Sequence, residues 1–195
     1  MEEELKQKSG DLIKVVMFGP ESTGKTTLAQ ALAKHYHTQW VPEFMRSYLQ
    51  EKWDNEKKVC EPKDMLPIAK GQVALENKIS NSAQNILFCD TNLLELKVYS
   101  EAYYNGFCEP IIEKYALQHK YDLYFLTYID VPWEKDDLRD KPNDREAMFS
   151  KFESALKTNN LNYVLLTGDF KTRMQTAINH VEKLIKKNDD THRSR

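Results

Sequence analysis

Between Gly19 and Thr26 the chain reads Gly19-Pro20-Glu21-Ser22-Thr23-Gly24-Lys25-Thr26. This G-x-x-x-x-G-K-T spacing suits a loop that holds a polyphosphate. Successive backbone N–H groups and the start of a following helix would converge on a β-phosphate, because a polyanion is stabilised by unpaired donors and by the positive end of the helix dipole. Glycine serves where the backbone must approach the phosphate closely. Lys25 is expected to bridge the β- and γ-phosphates and to follow the charge as it moves in transfer, and the Thr26 hydroxyl is expected to coordinate Mg²⁺. Glu21, Ser22 and Thr23 complete the loop. Thr27 is either a further nucleotide contact or an ordinary residue of the early helix. The expected cofactors are therefore ATP and Mg²⁺.

Two carboxylates follow apolar runs. Asp90 ends Asn85-Ile86-Leu87-Phe88-Cys89-Asp90, and Glu43 follows Gln39-Trp40-Val41-Pro42. In an open parallel sheet the carboxyl ends of the strands face the ligand crevice, which puts both acids beside the phosphate loop. Asp90 reads as a ligand to Mg²⁺ or its water, or as the N-cap of a helix beginning at Thr91 to Asn92, and both can hold. Glu43 reads as the group that accepts the proton of an acceptor hydroxyl, or as a helix-starting glutamate placed by the dipole. The proton acceptor is one of these two. Arg46, one turn on, touches acceptor or phosphate, or pairs with Glu43. The polar segment from Trp133 to Arg145 reads as a surface lid, since phosphoryl transfer must exclude water and neutralise spreading charge. Arg139 and Arg145 are its candidate catalytic arginines; the alternative is surface ion pairing with Asp136, Asp137, Asp140 and Asp144. Trp133, Tyr48 and Trp53 are candidate base-stacking groups, with ordinary packing as the other reading.

The elements that must position these residues alternate in type. Leu12 to Phe18 is a nearly continuous apolar run, read as a buried strand, and Leu28, Ala31, Leu32 and His35 after it share one helical face. Further strands are expected at 39–42, 85–90, 122–129 and 162–166. Helices are expected from Phe44 onward, from about Lys63 to Ser80, and after Gly168-Asp169, with Asp169 as N-cap and Met174, Ile178, Val181 and Ile185 on one stripe. Residues 54–62 read as a loop. Strand and helix alternating along the whole chain predict an α/β fold: a three-layer P-loop NTPase with a central, mostly parallel five-stranded sheet and a small lid. The expected organisation is a disordered or frayed N-terminus over 1–10, a single P-loop kinase domain over 11–187 with its lid at about 133–146, and a tail over 188–195.

With 195 residues, 41% hydrophobic and 30% charged, the chain has the composition of an ordinary globular domain. A net charge of −2 argues against general attraction to nucleic acid or anionic membrane. An acidic start with no signal peptide, and Cys60, Cys89 and Cys108 without a C-x-x-C pair, predict a cytoplasmic protein with neither disulfide framework nor zinc site. The basic residues near the C-terminus read as a solvated helix end or a weak docking patch.

The phosphate loop, Val41-Pro42-Glu43-Phe44 with Arg46, Ile68-Ala69 with Gly71-Gln72, Asp90-Thr91, and Trp133-Glu134-Lys135-Asp136-Asp137-Leu138-Arg139 together resemble the ribosylnicotinamide kinase domain of the NadR family. The resemblance spans nearly all of residues 11–187. It implies a nucleoside-kinase-like P-loop fold and transfer of the γ-phosphoryl group of ATP to the 5′-hydroxyl of nicotinamide riboside, giving nicotinamide mononucleotide. The acceptor pocket would include Glu43, Arg46, Tyr48, Asp90 and Trp133. Members of that family also carry a nucleotidyltransferase domain, for which this chain has no room and no H-x-G-H motif, so the mononucleotide and not the dinucleotide is the expected product. Kinases of other nucleosides or nucleoside monophosphates share the same motifs, and a non-catalytic ATP-binding module shares the phosphate loop alone.

Overall fold

The computed structural model describes residues 2–133 and 144–193. The chain runs β1 (Ile13–Phe18), α1 (Lys25–His35), β2 (Trp40–Val41), α2 (Phe44–Glu56), α3 (Met65–Ser80), β3 (Ile86–Asp90), α4 (Leu93–Tyr103), α5 (Pro110–Gln118), β4 (Leu123–Thr127), α6 (Arg145–Thr158), β5 (Tyr163–Leu166) and α7 (Phe170–Arg193). The strands form a five-stranded sheet in the order β2-β3-β1-β4-β5. Every pairing is parallel, with Met17 opposite Asp90 and Phe18 opposite Leu126.

The continuous apolar runs arise because the central strands are covered on both faces. Ile13, Val15 and Met17 pack with Leu28 and Leu32 of α1 and with Ala177 and Val181 of α7. Val16 and Phe18 turn the other way, onto Leu94 and Val98 of α4 and Phe152 and Leu156 of α6. The Phe18 ring meets Phe152 edge-on at 5.0 Å and Tyr124 at 5.5 Å. The result is the three-layer arrangement anticipated. From β1 the chain passes over β3 to reach β2, whereas from β3 it crosses β1 to reach β4. The connections leave the centre in opposite directions, and a crevice opens at the carboxyl ends of β1 and β3.

A third cluster unites α3, α4 and α5 through Met65, Ile68, Leu93, Leu96, Ile112 and Tyr115, with Leu5 fully buried among them. The expected frayed start is thereby corrected. Glu3–Leu5 form a short 3₁₀ turn; His119 Nε2 lies 2.7 Å from the Leu5 carbonyl oxygen. Gln7 Nε2 donates to Glu76 at 2.9 Å and Asn77 Nδ2 to the Lys6 carbonyl at 2.8 Å. One leucine within a charged lead-in provides the anchor, and polar partners on α3 and at the C-terminal cap of α5 hold the backbone around it.

Other boundaries differ for local reasons. α2 continues to Glu56, where Lys57 takes a left-handed cap conformation at φ 55°, and Pro62–Asp64 form a 3₁₀ turn leading into α3. α5, begun by Pro110, had no counterpart among the expected elements. α7 continues through the expected tail to Arg193, because nothing after Gly168 interrupts it with glycine or proline. Asp169 caps it as expected, its carboxylate accepting the Thr172 N–H at 2.8 Å. Most of the expected lid, including Arg139, lies outside the described residues. No helix among the described residues is long and apolar enough to cross a membrane.

Candidate active site

β1 delivers the chain into the phosphate loop at Gly19, whose φ of 137° suits glycine, and a Cβ there would stand 2.8 Å from the Thr127 hydroxyl. Behind the loop, the Thr23 hydroxyl donates to the Pro20 carbonyl at 2.8 Å and lies 2.7 Å from the Thr127 hydroxyl. Gly24, at φ 82°, occupies the N-cap position of α1 and offers no capping side chain, so the first-turn N–H groups of α1 remain for an anion. Lys25 is buried, and its ammonium donates to the carbonyls of Gly19 at 2.6 Å and Pro20 at 2.8 Å.

Three carboxylates surround that ammonium. Glu95 Oε1 lies 3.2 Å from it, while Glu95 Oε2 accepts the Gly19 N–H at 3.4 Å. Burial is the largest influence on Glu95 and, with the charges of Glu43 and Asp90, pushes its pKa up to about 8 against the pull of Lys25. Glu43 is raised to about 7, first by desolvation and then by Asp90, with Lys25 and Arg46 opposing. Burial also raises Asp90 above the ordinary carboxylate value, with Lys25, the Thr26 hydroxyl and Arg46 pulling it back. Burial disfavours charge on Lys25 itself, but Glu95, Glu43 and Asp90 outweigh it and hold its pKa above the ordinary value.

The structure excludes the capping alternative for Asp90. α4 begins at Leu93 and its N-cap is Asn92, whose side chain accepts the Glu95 N–H at 3.1 Å. Asp90 is therefore not a helix cap. It stands behind the loop and accepts the Thr26 hydroxyl on Oδ2 at 2.5 Å. Its other oxygen, Oδ1, is buried with no hydrogen-bond partner among the described residues. Glu43 occupies the N-cap position of α2, yet its side chain makes no capping hydrogen bond and lines the cleft.

Arg145, the first residue of α6, donates from Nη1 to the Val131 carbonyl at 2.9 Å and from Nη2 to the Ser22 carbonyl at 3.3 Å. This expected lid arginine is thus tied to the phosphate loop. Trp133 Nε1 donates to Glu21 at 3.5 Å, and Trp133, expected in the acceptor pocket, does not line the cleft. A cleft of about 760 Å³ joins Glu21 to Thr27 with Glu43, Arg46 and Trp53, and continues past Cys60, Tyr99, Tyr103 and Tyr104. Tyr48 departs from its expected role: its hydroxyl donates to Asp64 at 3.2 Å, beside the buried Lys52–Asp64 ion pair, and it does not line the cleft.

Three contributors went unnoticed in the sequence. Thr127 lies under the loop. Glu95 follows Asn92 by three residues, which reads as a capping box, yet its carboxylate turns to Lys25 and Gly19. Arg173, buried on α7, donates to the carbonyls of Thr23 at 2.6 Å, Tyr128 at 2.8 Å and Gly168 at 2.9 Å, and pairs with Asp130.

The donors fit Mg²⁺. A hydroxyl and a carboxylate with a spare oxygen stand at the end of the loop, and Mg²⁺ characteristically takes one or two such ligands together with phosphate oxygens and water. Among the described residues no cluster of three His, Cys, Asp or Glu side chains forms an all-protein cage.

Residues 14–173 match the AAA domain family. The chain is 25% identical over 174 residues to the trifunctional NAD biosynthesis/regulator protein NadR of Salmonella typhimurium, an alignment covering 88% of this chain and 42% of that protein. It thus spans less than half the length of this curated relative. A crystal structure of NadR protein in complex with NR superposes with a TM-score of 0.78 at 25% identity, covering 89% of this chain and 51% of the other. A second NadR structure, in complex with NAD and AMP-PNP, gives 0.75 at 25% identity, covering 89% and 49%.

Proposed function

Since the chain belongs to the AAA domain family, with a phosphate loop at its core, we propose that it is an ATP-dependent kinase that phosphorylates the ribose 5′-hydroxyl of nicotinamide riboside. It is a P-loop phosphotransferase similar in sequence and fold to NadR. One observation carries the reading furthest: Glu43, a carboxylate with its pKa raised to about 7, faces the same cleft as the phosphate loop and is not spent on capping its own helix. An ATP-binding module needs the loop but has no use for a base tuned to neutral pH beside it. The similar NadR structure solved with NR supports nicotinamide riboside as the acceptor.

In the proposed reaction Glu43 takes the proton of the acceptor hydroxyl. That oxygen then bonds to the γ-phosphorus, and the bond from the γ-phosphorus to the β,γ-bridging oxygen breaks, leaving that oxygen on ADP. The loop N–H groups and the first turn of α1 hold the phosphates, while Lys25 exchanges its bonds to Gly19 and Pro20 for phosphate oxygens. Arg145, which donates to the Ser22 carbonyl of the loop, is assigned to stabilise the transferring charge. Thr26 and Asp90 would hold Mg²⁺, which when bound supplies charge neutralisation for the phosphate oxygens.

The test is ADP release by the purified protein with MgATP, alone and with nicotinamide riboside, thymidine, deoxyadenosine or nucleoside monophosphates. Stimulation by nicotinamide riboside alone is expected. Stimulation by a different acceptor would keep the kinase and replace its substrate, and no stimulation by any would leave a nucleotide-binding module.

A further inference from the structure

Helix α2 starts in an unusual way. An N-cap residue ordinarily turns its side chain back to satisfy the N–H groups of the first turn. Glu43 holds that position with extended backbone, φ −66° and ψ 110°, but its side chain makes no such bond. A residue of another helix serves instead. Gln72 of α3 accepts the Phe44 N–H on Oε1 at 2.8 Å and donates from Nε2 to the Pro42 carbonyl at 3.4 Å. The amide thus clasps the peptide groups on both sides of Glu43, and at 4% exposure it does so away from competing water. Gly71 completes the arrangement. A Cβ there would stand 2.1 Å from Phe44 Cε1, so only glycine lets the Phe44 ring come this close to α3 while Gln72 reaches across.

We infer that Gln72 is a positioning residue for phosphoryl transfer: by clasping Pro42 and Phe44 it keeps the Glu43 carboxylate aimed into the cleft and off the N-terminus of its own helix. The inference rests on the reading of Glu43 as proton acceptor. It goes beyond that reading in placing control of the carboxylate on α3. Without the clasp the backbone on either side of Glu43 is no longer held, and the carboxylate can turn onto the second and third N–H groups of α2, which an N-cap side chain ordinarily satisfies and which the helix dipole makes favourable.

The experiment compares Gln72→Met, similar in size but without the amide, with Gln72→Glu, Glu43→Gln and the Gln72→Met/Glu43→Gln double variant. Steady-state rates are taken with MgATP and nicotinamide riboside, and thermal unfolding is followed separately. Gln72→Met is expected to lower kcat by roughly tenfold to a hundredfold with the KM for ATP unchanged, a split that a merely structural role would not give. Gln72→Glu keeps the acceptor for the Phe44 N–H and should fall between Gln72→Met and the wild type. In the Glu43→Gln background the loss from Gln72→Met should disappear, because its target is gone. An equal loss in both backgrounds, or a lower melting temperature with kcat intact, overturns the inference.

If Glu43→Gln alone leaves kcat unchanged, the reading of Glu43 fails first. An activity-independent measurement then decides the placement, namely titration of the ¹³C-labelled Glu43 carboxyl by NMR. The charged groups facing it are Asp90 on β3, Lys25 on α1, Arg46 on α2, Glu95 on α4 and Glu21 in the loop. Gln72→Met should lower the Glu43 pKa toward the ordinary value as the carboxylate turns onto its helix; an unchanged titration would overturn the inference.

Discussion

The Glu95 carboxylate joins the two working parts of the phosphate loop, with Oε1 3.2 Å from the Lys25 ammonium and Oε2 3.4 Å from the Gly19 nitrogen. A buried acid is thereby placed where a polyphosphate must arrive, and it helps to hold the lysine that must meet that polyphosphate. At pH values above its raised pKa of about 8, where the carboxyl is ionised, Glu95→Gln should relieve both the competition for Lys25 and the repulsion of phosphate. Nucleotide affinity is expected to tighten by about fivefold, equivalent to ~1 kcal/mol. Isothermal titration of the variant with MgATP checks this; an affinity weaker than wild type would mean that Glu95 serves chiefly to shape the loop.

Glu43 sets the pH dependence. Its pKa rises from an ordinary 4.5 to about 7 in the folded protein, first through burial and then through Asp90. The ionised form is needed to accept a proton, so kcat should rise with pH through about 7 and then level. Stability runs the other way. The folded state binds this proton more tightly than the unfolded chain does, so the contribution is complete below about 4.5 and is lost as pH climbs through 7. Glu95, raised to about 8, extends the loss in the same direction. Glu43→Gln should remove the acid limb of the rate profile, lower kcat by roughly a hundredfold or more, and flatten the decline in stability between pH 5 and pH 8 in denaturant titrations, with both pH values chosen to bracket the raised pKa.

Asp90 makes a separable prediction because one oxygen is engaged by Thr26 at 2.5 Å and the other is buried without a partner among the described residues. Asp90→Asn keeps the shape and an acceptor for the hydroxyl but loses the charge. The Mg²⁺ concentration giving half-maximal rate should increase by roughly tenfold to a hundredfold, with a smaller change in binding of metal-free ATP. Magnesium titrations of turnover and of nucleotide binding, run side by side, distinguish this from a general collapse of the loop.

The sequence exposed those parts of the site whose chemistry is local. A phosphate loop is contiguous, and the apolar runs ending in Asp90 and preceding Glu43 reveal strand ends without knowledge of any partner. For Tyr48 the packing reading holds, and an aromatic side chain near Glu43 gives no sign in the sequence that its hydroxyl is taken by Asp64. Glu95 sits in an otherwise apolar helix start and imitates a capping box; only the fold brings Lys25 to it. Leu5 lay hidden in a charged lead-in because one buried residue makes no periodicity. These omissions are long-range pairings, and spacing along the chain carries no record of them.

Arg173 is the strongest of these hidden pairings and yields a test of how the loop is held. Its guanidinium donates to Thr23, Tyr128 and Gly168 carbonyls and pairs with Asp130, which itself accepts the Gly168 N–H at 2.6 Å. Arg173 is buried while Asp130 reaches solvent, so removing the guanidinium chiefly strands the carbonyls it serves. Arg173→Met should therefore cost about 2 kcal/mol of stability, read by chemical denaturation. Because the Thr23 carbonyl belongs to the phosphate loop, nucleotide affinity should weaken as well, even at temperatures where the variant is fully folded. Arg173→Met/Asp130→Asn, which removes the stranded acid, should recover part of the stability while leaving the affinity low. Recovery of both together would show that Arg173 supports the loop only through the global stability of the fold.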